Sequence, residues 1–226
     1  PTSPTSPTPP TSPTTPTTST TPTTPKSHTK KSKPMKKKGK FIIISAPSGA
    51  GKSTVISRIK EHIDNYHFSV SCTTRQPRGQ EQHGIDYFFI TPEEFQQKIE
   101  NDEFVETEEV YNGDRYGSLK SQTIDMAKKG KNVVFDVDVK GGIRIKEIYG
   151  DEAVSIFIMP PSIEELERRL INRNTDLPDK IQKRVAKAKI EMEDAPKFDH
   201  IVLNDDLEKC IEDTLDIINE FLGKKI

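Results

Sequence analysis

Several apolar runs along the chain show no alternation: Phe41-Ile42-Ile43-Ile44, Val133-Val134-Phe135, Ala153–Ile158 and the shorter Ile201-Val202-Leu203. Strands with successive apolar positions are covered on both faces, as in the parallel sheet of an α/β protein. Amphipathic stretches separate them and predict helices over 53–64, 140–149, 178–193 and 207–222, with another opening at Ser162. Thr91-Pro92-Glu93-Glu94 and Ser162-Ile163-Glu164-Glu165 carry the start signals of a capping residue and a glutamate three positions on. The predicted fold is α/β: a parallel sheet with helices on both faces. Residues 71–131 interrupt the rhythm. After a short strand at 68–71 they predict strands over 86–90 and 104–111 and a turn at Asn112-Gly113. A helix capped by Ser118 is predicted to run to Lys129 and close at Gly130. This segment is expected to be an inserted, partly antiparallel lobe.

The ends of the chain differ in composition. Residues 1–25 are only Pro, Thr and Ser, and residues 26–40 hold eight lysines and no acid. With Met35 as their one large apolar side chain, residues 1–40 cannot offset the entropy of ordering, so a disordered tail and linker are expected there, ahead of a domain over 41–226. That domain carries 26 basic and 35 acidic side chains, a formal charge of −9 that the total of −1 conceals. The lysine run is a solvated tether or an anionic-surface patch. Cys72 and Cys210 are too few for a disulfide framework, and His28, His62, His67, His83 and His200 show no metal-ligand spacing.

The candidate chemistry begins where the first apolar run ends. Ser45-Ala46-Pro47-Ser48-Gly49-Ala50-Gly51-Lys52-Ser53-Thr54 lies between a predicted strand and a predicted helix, the setting of a phosphate-binding loop. Backbone N–H groups and a helix N-terminus favour an anion there. Lys52 can reach the β- and γ-phosphates, and Ser53 can ligate Mg²⁺. The usual motif starts with glycine, and here that position is Ala46. Asp136 ends an apolar strand where it can hold Mg²⁺ or cap the next turn; Asp138 faces the same cleft or solvent. Arg169 and Arg173 are four apart on one helix face, with Arg184 on the next helix. Guanidinium groups suit phosphoryl transfer, although composition alone favours surface ion pairs with Glu164, Glu165 and Glu167.

Taken together, these residues resemble the guanylate kinases. The loop is followed in the family's order by Ser71-Cys72-Thr73-Thr74-Arg75-Gln76-Pro77-Arg78-Gly79, Gly84-Ile85-Asp86-Tyr87 and Phe104-Val105-Glu106. Tyr116-Gly117-Ser118, Asp136-Val137-Asp138, Arg169 with Arg173, Arg184, and Asn204-Asp205 complete the set, and the resemblance covers about residues 41–222. It departs at Asn172-Arg173-Asn174, where the family often has Gly-Arg-Gly, and at Cys72, often serine.

The resemblance implies a P-loop kinase that transfers the γ-phosphoryl group of ATP to GMP, with Mg²⁺. It implies a GMP-binding lobe of mixed sheet at about 71–131 and a helical lid at about 162–185. Arg75, Arg78, Tyr87 and Tyr116 would bind the GMP phosphate. Glu106, Ser71, Ser118 and Asp138 would contact guanine. Ser48, Gly49, Ala50, Gly51, Lys52, Ser53 and Thr54 would hold ATP, with Asn204 near the adenine. Lys52, Arg169, Arg173 and Arg184 would stabilise the transferring group, and Ser53 and Asp136 would hold the metal. A monomer with small-molecule substrates, no nucleic-acid partner and no membrane span is expected in the cytoplasm, a nuclear destination through residues 30–40 being the alternative. The rival reading is a catalytically inactive guanylate-kinase-like module that binds protein. Such modules have typically lost the Gly-Lys-Ser and lid arginines that this chain retains.

Overall fold

The computed structural model describes residues 38–109, 113–172 and 177–224; the tail, Asn112, Arg173 and Asn174 lie outside the described residues. In chain order the strands are β1 (Phe41–Ser45), β2 (Tyr66–Ser69), β3 (Cys72–Thr73), β4 (Phe88–Phe89), β5 (Phe104–Glu109), β6 (Arg115–Leu119), β7 (Asn132–Asp136), β8 (Ala153–Met159) and β9 (His200–Leu203). The helices are α1 (Lys52–Ile59), α2 (Pro92–Glu100), α3 (Ile124–Lys128), α4 (Val139–Tyr149), α5 (Ile163–Asn172), α6 (Pro178–Glu193) and α7 (Leu207–Leu222).

The apolar runs form one parallel sheet in the order β2-β7-β1-β8-β9. Strands β1, β7 and β8 lack alternation because both faces are buried, whereas the edge strand β9 buries Val202 and leaves Ile201 and Leu203 exposed. Ile42, Ile44, Val134 and Ile156 pack with Ile59 of α1 and Ile218 of α7. Phe41, Ile43, Val133 and Phe135 pack with Ile145 of α4 and Ala127 of α3. Each fully buried side chain of this size contributes roughly 1.5–3 kcal/mol. The strand ends that this core fixes carry Ser45, Asp136 and Asn204, so the chemistry grows from the carboxyl edge of the sheet.

The inserted segment forms a second sheet, β4-β3-β6-β5, parallel between β3 and β4 and antiparallel elsewhere. Its own core is small: Cys72, Phe95, Phe104 and Leu119, with the Phe95 and Phe104 rings stacked at 4.6 Å. Phe95 comes from α2, whose start forms the expected reciprocal cap. Thr91 Oγ1 accepts from the Glu94 N–H at 3.1 Å, and Glu94 Oε2 accepts from the Thr91 N–H at 2.8 Å.

Four local expectations change. Ser118 does not cap a helix: it lies in β6, and a 3₁₀ turn (Lys120–Gln122) precedes the shorter α3. The polar run 118–123 reads as a helix start, but pairing with β5 claims its first residues. The strand expected at 68–71 divides between the two sheets, β2 ending at Ser69 and β3 starting at Cys72. The strand at 86–90 reduces to Phe88–Phe89. The first helix stops at Ile59, where i→i−3 bonds from Glu61 and His62 tighten its last turn.

Helices α5 and α6, which lie in or run on from the segment expected to be a lid, pack through Leu166, Leu170, Ile181 and Ala188. Ser162 Oγ accepts from the Glu165 N–H at 3.1 Å, half of the expected box. The Glu165 carboxylate turns instead to Arg168 and Arg169, whose hydrogen bonds hold it down at about 2. No helix among the described residues is long and apolar enough to cross a membrane.

Candidate active site

The loop after β1 bends through Gly49 and Gly51, with φ of 97° and 94°. These are left-handed values that glycine adopts without a Cβ clash. Gly51 caps α1 and its carbonyl accepts from the Thr54 N–H at 3.0 Å, while the N–H groups of Lys52 and Ser53 open the helix with no preceding turn to bond. A Cβ on Gly49 would lie 2.9 Å from the Leu170 side chain, so α5 rests directly on the loop. Lys52 Nζ donates to the Val137 carbonyl at 2.6 Å and pairs with Asp136 Oδ1 at 2.8 Å. This couples the loop lysine to the expected metal ligand. Ser48 N–H donates to Glu191 Oε2 at 3.3 Å, and Lys187 lies 3.0 Å from the same carboxylate. Burial pushes the Glu191 carboxyl up, with Lys187 opposing it.

The facing wall comes from the lobe and from α4. Glu106 on β5 accepts from the Ser118 hydroxyl at 2.8 Å. Burial first, then the neighbouring Asp138 and Glu108 carboxylates, raise its carboxyl to about 7 despite that bond. Asp138 caps α4, accepting from the Gly141 N–H at 2.9 Å, and also lines the cleft. The position a Gly141 Cβ would take is 3.1 Å from Asp138 Oδ1 and 3.7 Å from Glu106 Oε2. The absence of that atom lets the two carboxylates approach one another. The Tyr87 and Tyr116 rings meet edge to face at 5.8 Å, and burial pushes the Tyr87 phenol above its usual range.

One cavity of about 300 Å³ is lined by both sets: Ser48, Lys52 and Asp136 from the loop side, Ser71, Arg78, Tyr87, Glu106, Tyr116 and Asp138 from the other, and Arg184 from α6. Of the expected residues, Gly49, Ala50, Gly51, Ser53 and Thr54 of the loop, and Arg75, Ser118, Arg169 and Asn204, stand away from its lining. The buried Arg75 guanidinium is spanned by Glu81 at 2.6 and 2.8 Å and also donates to the Tyr116 hydroxyl at 2.9 Å. Its hydrogen bonds hold the Glu81 carboxyl below the usual range. Arg169 donates to Glu165 at 2.8 Å and to the Asn204 carbonyl at 3.0 Å. Asn204 is buried beneath the loop and donates its side-chain N–H to the Ala50 carbonyl at 2.7 Å. Ser118 acts behind Glu106 and is fully buried. Arg173 lies outside the described residues. Cys72 sits in the lobe core, its thiol pushed up to about 12 by burial.

Sequence reasoning missed Glu81, Lys187 and Glu191, and also Glu108 and Asp114, which line the cavity. Lys187 and Glu191 had a signal: they stand three and seven positions after Arg184, on one helix face. Glu81 had none, because its partner is set by the fold of the loop after β3.

Comparison with known proteins agrees with this geometry. A guanylate kinase family model matches residues 38–221. The guanylate kinase of Bacteroides thetaiotaomicron is 56% identical over 187 residues, covering 83% of this chain and 92% of that protein. The guanylate kinase of Porphyromonas gingivalis is 53% identical, covering 82% and 99%. The crystal structure of guanylate kinase from Anaplasma phagocytophilum superposes with a TM-score of 0.68 at 32% identity, covering 82% of this chain and 87% of that one. These relatives are bacterial and give the nuclear alternative no support. A parallel sheet with a glycine loop at its carboxyl edge, an inserted mixed sheet and sequence likeness along nearly the whole described chain place this protein in the guanylate kinase family, among the nucleoside monophosphate kinases.

Proposed function

We propose that the chain transfers the γ-phosphoryl group of ATP to GMP, giving ADP and GDP. The observation that carries this reading is the shared cavity, lined on one side by Lys52 and Asp136 and on the other by Glu106 and Asp138. Guanine presents the N1–H and N2–H₂ donors side by side, and an ionised Glu106 accepts both. Adenine presents an acceptor at N1 and leaves that carboxylate without a partner. Ser118 holds Glu106 in place, and Ser71 and Asp138 complete the base site.

The GMP phosphate is already an oxyanion. Its oxygen attacks the γ-phosphorus, the bond to the β–γ bridging oxygen breaks, and that oxygen leaves with ADP. Catalysis is therefore positioning and charge neutralisation, with no covalent enzyme intermediate. Arg78, Tyr87 and Tyr116 hold the GMP phosphate. Arg75 joins them by exchanging the Glu81 carboxylate for phosphate oxygens, which suit the same fork. Lys52, Arg184 and the lid arginines Arg169 and Arg173 neutralise charge on the transferring group. Backbone N–H groups of residues 48–54 cradle the ATP phosphates. The Ser53 hydroxyl and Asp136 carboxylate are hard oxygen donors, too few to cage a cation alone, which is how Mg²⁺ is held when phosphate oxygens complete its shell. Mg²⁺ there would neutralise charge on the β- and γ-oxygens.

The test is a coupled assay of ATP-Mg²⁺ with GMP, dGMP, AMP, CMP and UMP in turn. GMP should be turned over with AMP slower by on the order of 10⁴-fold in kcat/KM. Comparable rates for AMP and GMP would overturn the reading.

A further inference from the structure

We infer that Asn204 is a positioning residue for the phosphate loop, acting through the Ala50 peptide. This rests on the reading of residues 48–54 as the ATP phosphate site. Asn204 follows β9 directly. Its backbone N–H donates to the Met159 carbonyl at 2.7 Å, and two residues later Asp206 caps α7 by accepting from the Lys209 N–H at 2.8 Å. Strand and helix thus fix the backbone on both sides. The side chain then points under the loop, 4% exposed, with its amide nitrogen 2.7 Å from the Ala50 carbonyl oxygen. A carbonyl accepts and cannot donate, so the partner settles which end of the amide faces it.

The consequence lies in the geometry of the next peptide plane. In a trans peptide the carbonyl and the following N–H point in opposite directions. Holding the Ala50 oxygen toward Asn204 therefore turns the Gly51 N–H away from Asn204, next to the N-terminus of α1. Released, this plane could turn over, because Gly51 at φ 94° meets little steric resistance to other conformations. A turned plane would present an oxygen where an anion must bind. The fit is close enough to exclude a side chain at 51: a Cβ there would lie 2.6 Å from the Asn204 amide nitrogen. Arg169 holds the other side of the same residue, donating to the Asn204 carbonyl at 3.0 Å. Helix α5 is thereby braced against the residue that sets the loop.

The discriminating probe is inorganic tripolyphosphate, which carries phosphates and no base. Titration calorimetry on the full chain compares wild type, Asn204→Ala and Asn204→Asp for binding of tripolyphosphate and of ATP. Thermal melting checks that each variant is folded. Asn204→Asp keeps the shape but sets a carboxylate against the Ala50 carbonyl. Both variants should lose affinity for tripolyphosphate and ATP by the same factor, on the order of 10- to 100-fold, with GMP affinity changed less than about twofold. Weakened ATP binding with unchanged tripolyphosphate binding would mean that the amide reads adenine, and would overturn the inference. So would unchanged affinity for both. A measurement on the wild type needs no variant to fold: the scalar coupling across the Asn204 Nδ2–H to Ala50 carbonyl bond should persist when tripolyphosphate binds, and its loss would also overturn the inference. The proposed reaction fails separately, as wild-type protein that binds tripolyphosphate but does not phosphorylate GMP.

Discussion

The two walls of the cleft are built in opposite ways. The loop wall grows from a large core: a five-stranded parallel sheet whose strands β1, β7 and β8 are covered on both faces, with the loop at the carboxyl edge. Its polar groups are fixed by short bonds to backbone atoms, Lys52 to the Val137 carbonyl and Asn204 to the Ala50 carbonyl. The lobe wall has a core of four fully claimed side chains and two strands of only two residues each. Its groups are fixed by one another, Arg75 by Glu81 and Glu106 by Ser118. The proposed phosphate site is thus held by bonds to the backbone of the main sheet's loops, while the proposed base site depends on a few paired polar side chains. Substitutions on the two walls should accordingly separate turnover from acceptor recognition.

The largest expected effect lies on the loop wall. Lys52→Ala should lower kcat by about 10²- to 10³-fold, the range for removing one preorganised stabiliser of developing charge. GMP affinity measured by calorimetry should stay within about twofold. A parallel loss of GMP affinity would show the walls to be coupled. The complementary change, Glu106→Ala, should raise the GMP KM by about 100-fold while the ATP KM barely moves, because guanine donors lose their acceptor. An unchanged GMP KM would remove Glu106 from the base site.

The smallest effect is one of pH. The Glu106 carboxyl titrates at about 7 in the free protein, raised by burial. Guanine needs the ionised form, so GMP binding is complete above pH 7 and must displace a proton below it. Between pH 7 and 6 the GMP KM should rise by up to about tenfold, the worth of one pH unit. The ATP KM gives the control for the loop wall. Glu106→Gln should abolish the slope, and a slope that survives in that variant assigns it to another group.

The sequence allows the loop wall to be read in detail and the lobe wall only in outline. Unbroken apolar runs are local signals, and β9, α6 and α7 begin and end where their periodicity and caps put them. The lobe is made by pairings between distant residues, which local pattern does not encode. Ser118 shows the difference. Its neighbours suit a helix start, and only registry with Glu106 reveals it as the support of a carboxylate. Asn204 shows the other limit. Its place in the motif is legible, but its role depends on burial beneath Ala50, which sequence leaves open.

Strands β2 and β7 are hydrogen-bonded neighbours, with Tyr66 opposite Asn132 and Ser69 opposite Phe135. The chain leaves one of this pair, builds the entire second sheet, and returns to the other. The excursion therefore begins and ends on adjacent rails of the same sheet, and its closure is set by the host and not by its own weak core. On the proposed reading, most of the groups that contact the nucleobase lie on this excursion, with Asp138 supplied by the host at the start of α4. Variation within the excursion can change which monophosphate is accepted while the strands beneath the phosphate loop keep their register.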